Sequence, residues 1–183
     1  MTRGPGLVMI DRDGVINEDS DDFVKSVAEW RPIKGSLEAI AALHRRGWRV
    51  AVVTNQSGVG RGLYDEATLA NIHEYMRERI RAAGGEIAGI YYCPHLPGDG
   101  CDCRKPKPGL FRALERELRV SVIDAPYIGD RLSDIEAAEG VGARPILVRT
   151  GTGAVTETLL GGRTVPVFDD LAAAARSLLD PQR

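Results

Sequence analysis

The sequence predicts an α/β domain in which a doubly wound, mainly parallel sheet carries helices on both faces. Two observations predict it. Short apolar runs rich in Val and Ile recur between amphipathic stretches, which is the pattern of strands buried on both sides. The four most polar loops each follow one of those runs, where the carboxyl ends of parallel strands gather ligand-binding groups.

Taken in order, a strand is expected over residues 7–10, a helix over 36–46 and a second strand over 49–53. Leu69, Ile72, Met76 and Ile80 recur at steps of three and four, so residues 65–83 form a helix with one buried face. A strand at 89–92, a helix at 109–119, a strand at 125–128, a helix at 133–139 and a strand at 145–148 continue the alternation. A short edge strand near 165–168 and a helix at 170–179 close it. Ser36, Asp65, Ser133 and Asp170 are the expected N-caps, because their side-chain oxygens can accept the free N–H groups of a first turn. The stretch "GTGAVTETLLGGRT" reads as a Gly and Thr-rich surface connection.

With 183 residues the chain suits one domain, residues 1–183, with a real core. Lys and Arg number 24 against 26 Asp and Glu, a net charge of −2, which gives no electrostatic footprint for nucleic acid or an anionic membrane. No apolar run approaches the ~20 residues of a membrane span, and "MTRGPGLVMIDRDG" is too short in its hydrophobic part for a secretory signal. A cytoplasmic monomer acting on a small molecule is the expectation. The three cysteines, Cys93, Cys101 and Cys103, lie within eleven residues, which argues against a disulfide framework and for metal binding.

The loop chemistry is more specific. In "IDRDGV" two aspartates one residue apart follow an apolar strand, an arrangement that repulsion and desolvation disfavour unless a cation relieves it. Asp11, Asp13 and Asp130 each follow a strand end, and Asp134 lies one helical turn beyond Asp130. Hard oxygen ligands with positions left for water suit Mg²⁺. Singly, each acid also fits a turn or a helix start. Thr54, Asn55, Gln56 and Ser57 before Gly58 and Gly60 offer hydroxyl, amide and backbone donors to an anion. Arg104 and Lys105 supply positive charge on a loop stiffened by Pro106 and Pro108. An acid cluster with Mg²⁺, a phosphate cradle and a fixed lysine together suggest phosphoryl transfer, with one carboxylate attacking phosphorus and a second moving protons.

"DRDGV", "VVTNQSG", "RKPKPG" and "IGDRLSD", in that order and at strand ends, resemble the four motifs of the haloacid dehalogenase superfamily of phosphotransferases. The resemblance runs from about Leu7 to Thr150. "DRDGVIN", "TNQSGVGRG", "YYCPH", "CDCRKPKPG" and "VRTGTG" are further similar to the D-glycero-D-manno-heptose 1,7-bisphosphate phosphatase family, which removes the 7-phosphate in ADP-heptose synthesis for lipopolysaccharide. The resemblance implies a Rossmann-like haloacid dehalogenase fold with a minimal cap, since no segment between the motifs looks like a folded lid. It makes Asp11 nucleophile and Mg²⁺ ligand, and Asp13 general acid and base that also reaches the metal through its carbonyl. Asp130 completes the Mg²⁺ shell, and Thr54 binds the phosphate. Asn55, Gln56 and Ser57 line the substrate site, and Arg104 and Lys105 hold phosphate and the attacking carboxylate. Asp19, Ser20, Asp22 and Arg131 are carried over as sugar contacts. Cys93, His95, Cys101 and Cys103 form a Cys-x-His and Cys-x-Cys set that meets the tetrahedral demand of Zn²⁺ with no vacancy for water, hence a structural zinc loop. His44 and His73 read as ordinary helix residues, and Trp30 and Trp48 as packing groups.

Three other readings remain open from the residues. Histidinol-phosphate phosphatases resemble the chain in motifs and zinc loop. Receiver-type phosphoacceptor switches share the acidic Mg²⁺ site and lysine, though here the acid two residues beyond the nucleophile can assist hydrolysis. A zinc-binding interaction module with a dead site is the third.

Overall fold

The computed structural model describes residues 6–180. The first five residues of the N-terminal stretch read for a signal, and both extremes of the 1–183 domain, lie outside them. Six strands form one parallel sheet in the order β3-β2-β1-β4-β5-β6. They are β1 (Leu7–Ile10), β2 (Arg49–Asn55), β3 (Gly89–Cys93), β4 (Pro126–Gly129), β5 (Arg144–Val148) and β6 (Val167–Phe168). Between and after them run α1 (Ser36–Arg45), α2 (Glu66–Ala82), α3 (Gly109–Leu118), α4 (Leu132–Gly140), α5 (Gly153–Thr158) and α6 (Leu171–Leu179). The strand order reverses between β1 and β4, the switch point at which open α/β sheets bind ligands.

The period-two alternation of each strand divides the core into two layers. Val8, Ile10, Val50, Val52 and Ile128 pack under α1, α2 and α6, joined by the buried Trp30. Met9, Ala51, Val53 and Tyr127 face the opposite way and pack with Leu110, Phe111 and Leu114 of α3 and Ala137 and Ala138 of α4. With both faces of the central strands covered, only the strand ends remain for chemistry. No helix among the described residues is long and apolar enough to cross a membrane.

Several local expectations change. Asp65 and Asp170 cap their helices by accepting from Thr68 N and Ala173 N, but Ser36 and Ser133 do not cap. Gly35, at φ 84°, occupies the position before α1, and the Ser36 hydroxyl donates instead to the Ile16 carbonyl at 2.7 Å. Arg131 precedes α4, whose first turn is capped by Asp134 from inside the helix. β2 extends to Asn55 because Thr54 and Asn55 stay in register with Tyr92 and Cys93. The expected Gly and Thr-rich connection contains α5 and, as described below, seats an active-site carboxylate.

Candidate active site

The loops after β1, β2, β3 and β4 meet over the switch point and enclose a polar cavity of about 380 Å³. Its floor includes Asp11, Asp13, Thr54 and Lys105; Asn55, Gln56, Ser57 and Arg104 lie beside them, and Asp19, Ser20 and Arg131 stand at its other side. Asp22 is not on the cavity: its amide bonds the Ser20 hydroxyl at 3.2 Å, and its neighbour Asp21 takes the lining position. Phe23, with Arg61 5.5 Å above its ring, adds a small apolar wall that the sequence reading did not include.

Asp11, Asp130 and Asp134 each place a carboxylate oxygen within 4.8 Å of the others, all three buried. Their environments differ. Asp11 Oδ1 accepts from Arg12 N at 2.7 Å and faces Lys105 Nζ at 3.1 Å. Burial pushes the Asp11 carboxyl up to about 8, against the opposing pull of Lys105 and with the help of the neighbouring acids. Asp130 Oδ2 accepts from the amide and hydroxyl of Thr152 at 2.8 and 3.0 Å, whereas its Oδ1 is buried with no hydrogen-bond partner. Burial and Asp134 push Asp130 up to about 6. Asp134 uses both oxygens: Oδ1 for Lys105 Nζ at 2.7 Å and Tyr127 Oη at 3.1 Å, Oδ2 for the amides of Asp130 and Arg131 at 3.2 and 3.0 Å. It is an anchor for the lysine and the loop.

An orphaned buried carboxylate oxygen facing a second acid is costly without a cation. Hard oxygen donors in that pattern fit Mg²⁺, so the donor set of Asp11 and Asp130 suits the metal that the motifs imply. Close approach around it needs glycine. A Cβ on Gly14 (φ 80°) or Gly151 (φ 59°) would lie 2.4 or 2.3 Å from Asp130 Oδ2. The 150–153 turn therefore belongs to the site, with the Thr150 hydroxyl donating to the Gly14 carbonyl at 2.7 Å.

Lys105 is held from every side. Its ammonium also donates to Val53 O at 3.0 Å and Tyr127 Oη at 2.7 Å, and burial is outweighed by Asp11 and Asp134, which keep its pKa above the ordinary lysine value. Asn55 brackets its backbone, donating to Lys105 O at 3.2 Å and accepting from Lys105 N at 3.0 Å. Nothing in the sequence marks Tyr127, which reads there only as an aromatic inside a strand.

Asp13 is of opposite character to Asp11. Burial opposes its charge, but the Arg12 guanidinium and hydrogen bonds from Asn17 and Gln56 prevail and hold the carboxyl below its ordinary value. Gln56 Nε2 reaches both Asp13 Oδ2 at 2.8 Å and Thr54 Oγ1 at 2.9 Å, while its Oε1 accepts from Tyr64 at 3.0 Å. Two carboxylates one residue apart are thus driven in opposite directions, Asp11 up by burial among acids and Asp13 down by Arg12, Asn17 and Gln56, so Asp11 needs a cation beside it before it can act as an ionised nucleophile. Arg131 donates to Asp19 at 2.6 Å, so these two rim groups neutralise each other across the cavity mouth.

The four soft donors cluster beside Arg104 and Lys105. Cys93 Sγ lies 3.1 Å from Cys103 Sγ, 3.7 Å from Cys101 Sγ and 3.5 Å from His95 Nδ1. A tetrahedron of ~2.3 Å zinc–sulfur bonds has edges of roughly 3.8 Å, so the set suits Zn²⁺ with every position filled by protein. Arg104 Nη1 donates to the His95 carbonyl at 3.2 Å, tying the cavity cation to this loop.

A family model described as "HAD-hyrolase-like" matches residues 102–174. The chain is 50% identical over 173 residues to the D-glycero-beta-D-manno-heptose-1,7-bisphosphate 7-phosphatase of Pseudomonas putida, covering 94% of this chain and 99% of that one. The enzyme of the same name from Pseudomonas aeruginosa is 51% identical over 177 residues, covering 94% and 97%. Among solved structures, D,D-heptose 1,7-bisphosphate phosphatase from B. bronchiseptica, complexed with magnesium and phosphate, superposes with a TM-score of 0.92 at 47% identity, covering 96% of this chain and 98% of that chain.

Proposed function

The chain belongs to the D-glycero-beta-D-manno-heptose-1,7-bisphosphate 7-phosphatase family, and from that premise we propose that it hydrolyses the 7-phosphate of the heptose 1,7-bisphosphate through an aspartyl phosphate on Asp11. One observation carries the mechanism: Asp11 lies on the cavity floor between the ammonium of Lys105 at 3.1 Å and the half-partnered carboxylate of Asp130. A carboxylate placed there is shielded from water, with Lys105 on one side and, on the other, an acid pair suited to a divalent cation; together these would offset a dianionic phosphoryl group.

Asp11, the Asp13 carbonyl and Asp130 would hold Mg²⁺, which when bound neutralises charge on the phosphate oxygens and the attacking carboxylate. Thr54 and the amides of its loop, with Arg104, bind the remaining phosphoryl oxygens. An Asp11 oxygen attacks phosphorus in line; as that bond forms, the bond from phosphorus to the sugar oxygen breaks, and Asp13, protonated in the substrate complex because the incoming phosphate dianion opposes its charge, passes that proton to the departing alkoxide. Asp13, now ionised, takes a proton from a water that attacks phosphorus. The bond from phosphorus to Asp11 breaks, inorganic phosphate leaves, and both carboxyls regain their starting states. Lys105 stays on Asp11 throughout, oriented by Asp134 and Tyr127.

The zinc loop stiffens the segment that ends in Arg104 and Lys105. Asp19, Ser20 and Arg131 face the sugar from a minimal cap, so Arg131 exchanges Asp19 for substrate on binding. All these groups come from one chain acting on a phosphorylated sugar, and the reading is completed by a monomer in the cytoplasm. The reading is tested by phosphate release from heptose 1,7-bisphosphate. Mg²⁺-dependent loss of the 7-phosphate alone supports it; a strong preference for histidinol phosphate would sink the substrate assignment.

A further inference from the structure

Helix α2 presents Leu69, Ile72, Met76 and Ile80 to the core, and among them sits one polar group, His73, only 7% exposed. Its ring edge rests on Tyr92, with centroids 5.6 Å apart, and its Nε2 lies 3.2 Å from Arg12 Nη1. A guanidinium carries donors only, so Nε2 must be the acceptor and the ring is neutral with its proton on Nδ1. Burial, helped by the Arg12 charge, accordingly pushes His73 down to about 3.

Arg12 is itself fully buried, at 0% exposure, and turns its other edge onto Asp13. Nε and Nη2 donate to Asp13 Oδ1 at 3.0 and 2.8 Å, and Nη2 also reaches Oδ2 at 3.0 Å. Asn17 Nδ2 adds a third donor to Oδ1 at 2.9 Å. Oδ1 is thereby saturated, while Oδ2 receives only Gln56 and a share of Nη2, which leaves Oδ2 as the oxygen available for proton transfer at the cavity. The Arg12 fork fixes this choice, and the fork's rotation is fixed at its far end by His73.

We propose that His73 is a positioning residue for the reaction: by accepting from Arg12 it locks the guanidinium fork that orients Asp13 as general acid. The inference rests on the proton-transfer role given to Asp13 above. Without His73 the buried Nη1 has no acceptor, the guanidinium turns to find one, and Asp13 loses its orientation while Asp11, Lys105 and the phosphate cradle stay in place.

Leaving groups provide the test. A sugar alkoxide needs a proton as it departs, whereas p-nitrophenolate does not, and kcat/KM reports only steps up to departure of the leaving group. His73→Leu should lower kcat/KM for heptose 1,7-bisphosphate on the order of tenfold more than for p-nitrophenyl phosphate. His73→Gln, which places an acceptor near the Nε2 position, should restore the ratio. Equal losses on the two substrates, or a glutamine variant no better than leucine, would overturn the proposal. If His73→Leu does not fold, Arg12→Lys, which keeps a buried cation without the fork, must show the same substrate-selective loss. Asp13→Asn, measured in parallel, separates the two layers of argument. A selective loss there without one in His73→Leu defeats only this inference, whereas equal losses for Asp13→Asn defeat the acid role itself.

Discussion

Replacing Asp134 by asparagine keeps the shape of the side chain and removes its charge. Lys105 Nζ and Asp134 Oδ1 are 2.7 Å apart, with side chains 2% and 1% exposed, so solvent screens neither. Asparagine offers one carbonyl oxygen where Asp134 serves two sets of donors, Lys105 and Tyr127 on one side and the Asp130 and Arg131 amides on the other. Whichever way the amide turns, an NH₂ faces donors. Removing one partner of a buried ion pair costs about 3–5 kcal/mol. Lys105 retains Asp11, Tyr127 and Val53, which places Asp134→Asn near the lower end, at about 3 kcal/mol. For a chain of this size that is a fall of roughly 6–12 °C in Tm. Urea unfolding with a shared m-value measures it directly. A variant within about 0.5 kcal/mol of the parent would refute the reasoning.

Other outcomes follow from the same geometry. Thr152→Val removes the hydroxyl 3.0 Å from Asp130 Oδ2 but keeps the amide bond, so the Mg²⁺ concentration for half-maximal activity should rise severalfold with modest loss of stability, read by metal titration. In metal-free protein Asp11 and Asp130 are raised from 3.8 to about 8 and about 6, so the folded state binds their protons more tightly than the unfolded chain. That stability is present below the ordinary carboxylate range and is lost as pH rises through the raised values. Mg²⁺ takes the place of those protons. The Tm increment from Mg²⁺ over chelator should therefore grow between about pH 5 and about pH 8, and a flat increment would contradict it. The Cys93, His95, Cys101 and Cys103 cluster should hold one zinc per chain by elemental analysis, and Cys103→Ala should lose the zinc and weaken substrate binding through Arg104.

Local signals were the legible ones. The i, i+3, i+4 recurrence from Leu69 to Ile80 and the caps at Asp65 and Asp170 depend on residues within a turn or two of one another, and the structure follows them. Ser36 and Ser133 look equally good as caps, yet the Ser36 hydroxyl is drawn to Ile16 twenty residues away, and at α4 the neighbouring Asp134 takes the terminus through the Arg131 amide while also holding Lys105. The acids, the 54–57 loop and the cysteine set are legible because each follows a strand end and the parallel sheet brings those ends together. Thr152, Tyr127 and His73 are not, since nothing local distinguishes a threonine in a glycine-rich turn, a tyrosine in a strand or a histidine on a helix face. Their roles arise only where Asp130, Lys105 and Arg12 arrive from elsewhere in the chain. Arg131 and Asp19 could be placed at the rim from their motifs, but their mutual pairing could not.

The central claim is that Asp11 itself carries the phosphoryl group. Rapid quenching during turnover of heptose 1,7-bisphosphate with Mg²⁺, followed by borohydride reduction, converts an acyl phosphate to the alcohol, and peptide mass spectrometry locates it. The account predicts homoserine at position 11, dependent on substrate and metal and absent from Asp11→Asn. Reduction at another carboxylate, or turnover without any reducible intermediate and undiminished in Asp11→Asn, would contradict it.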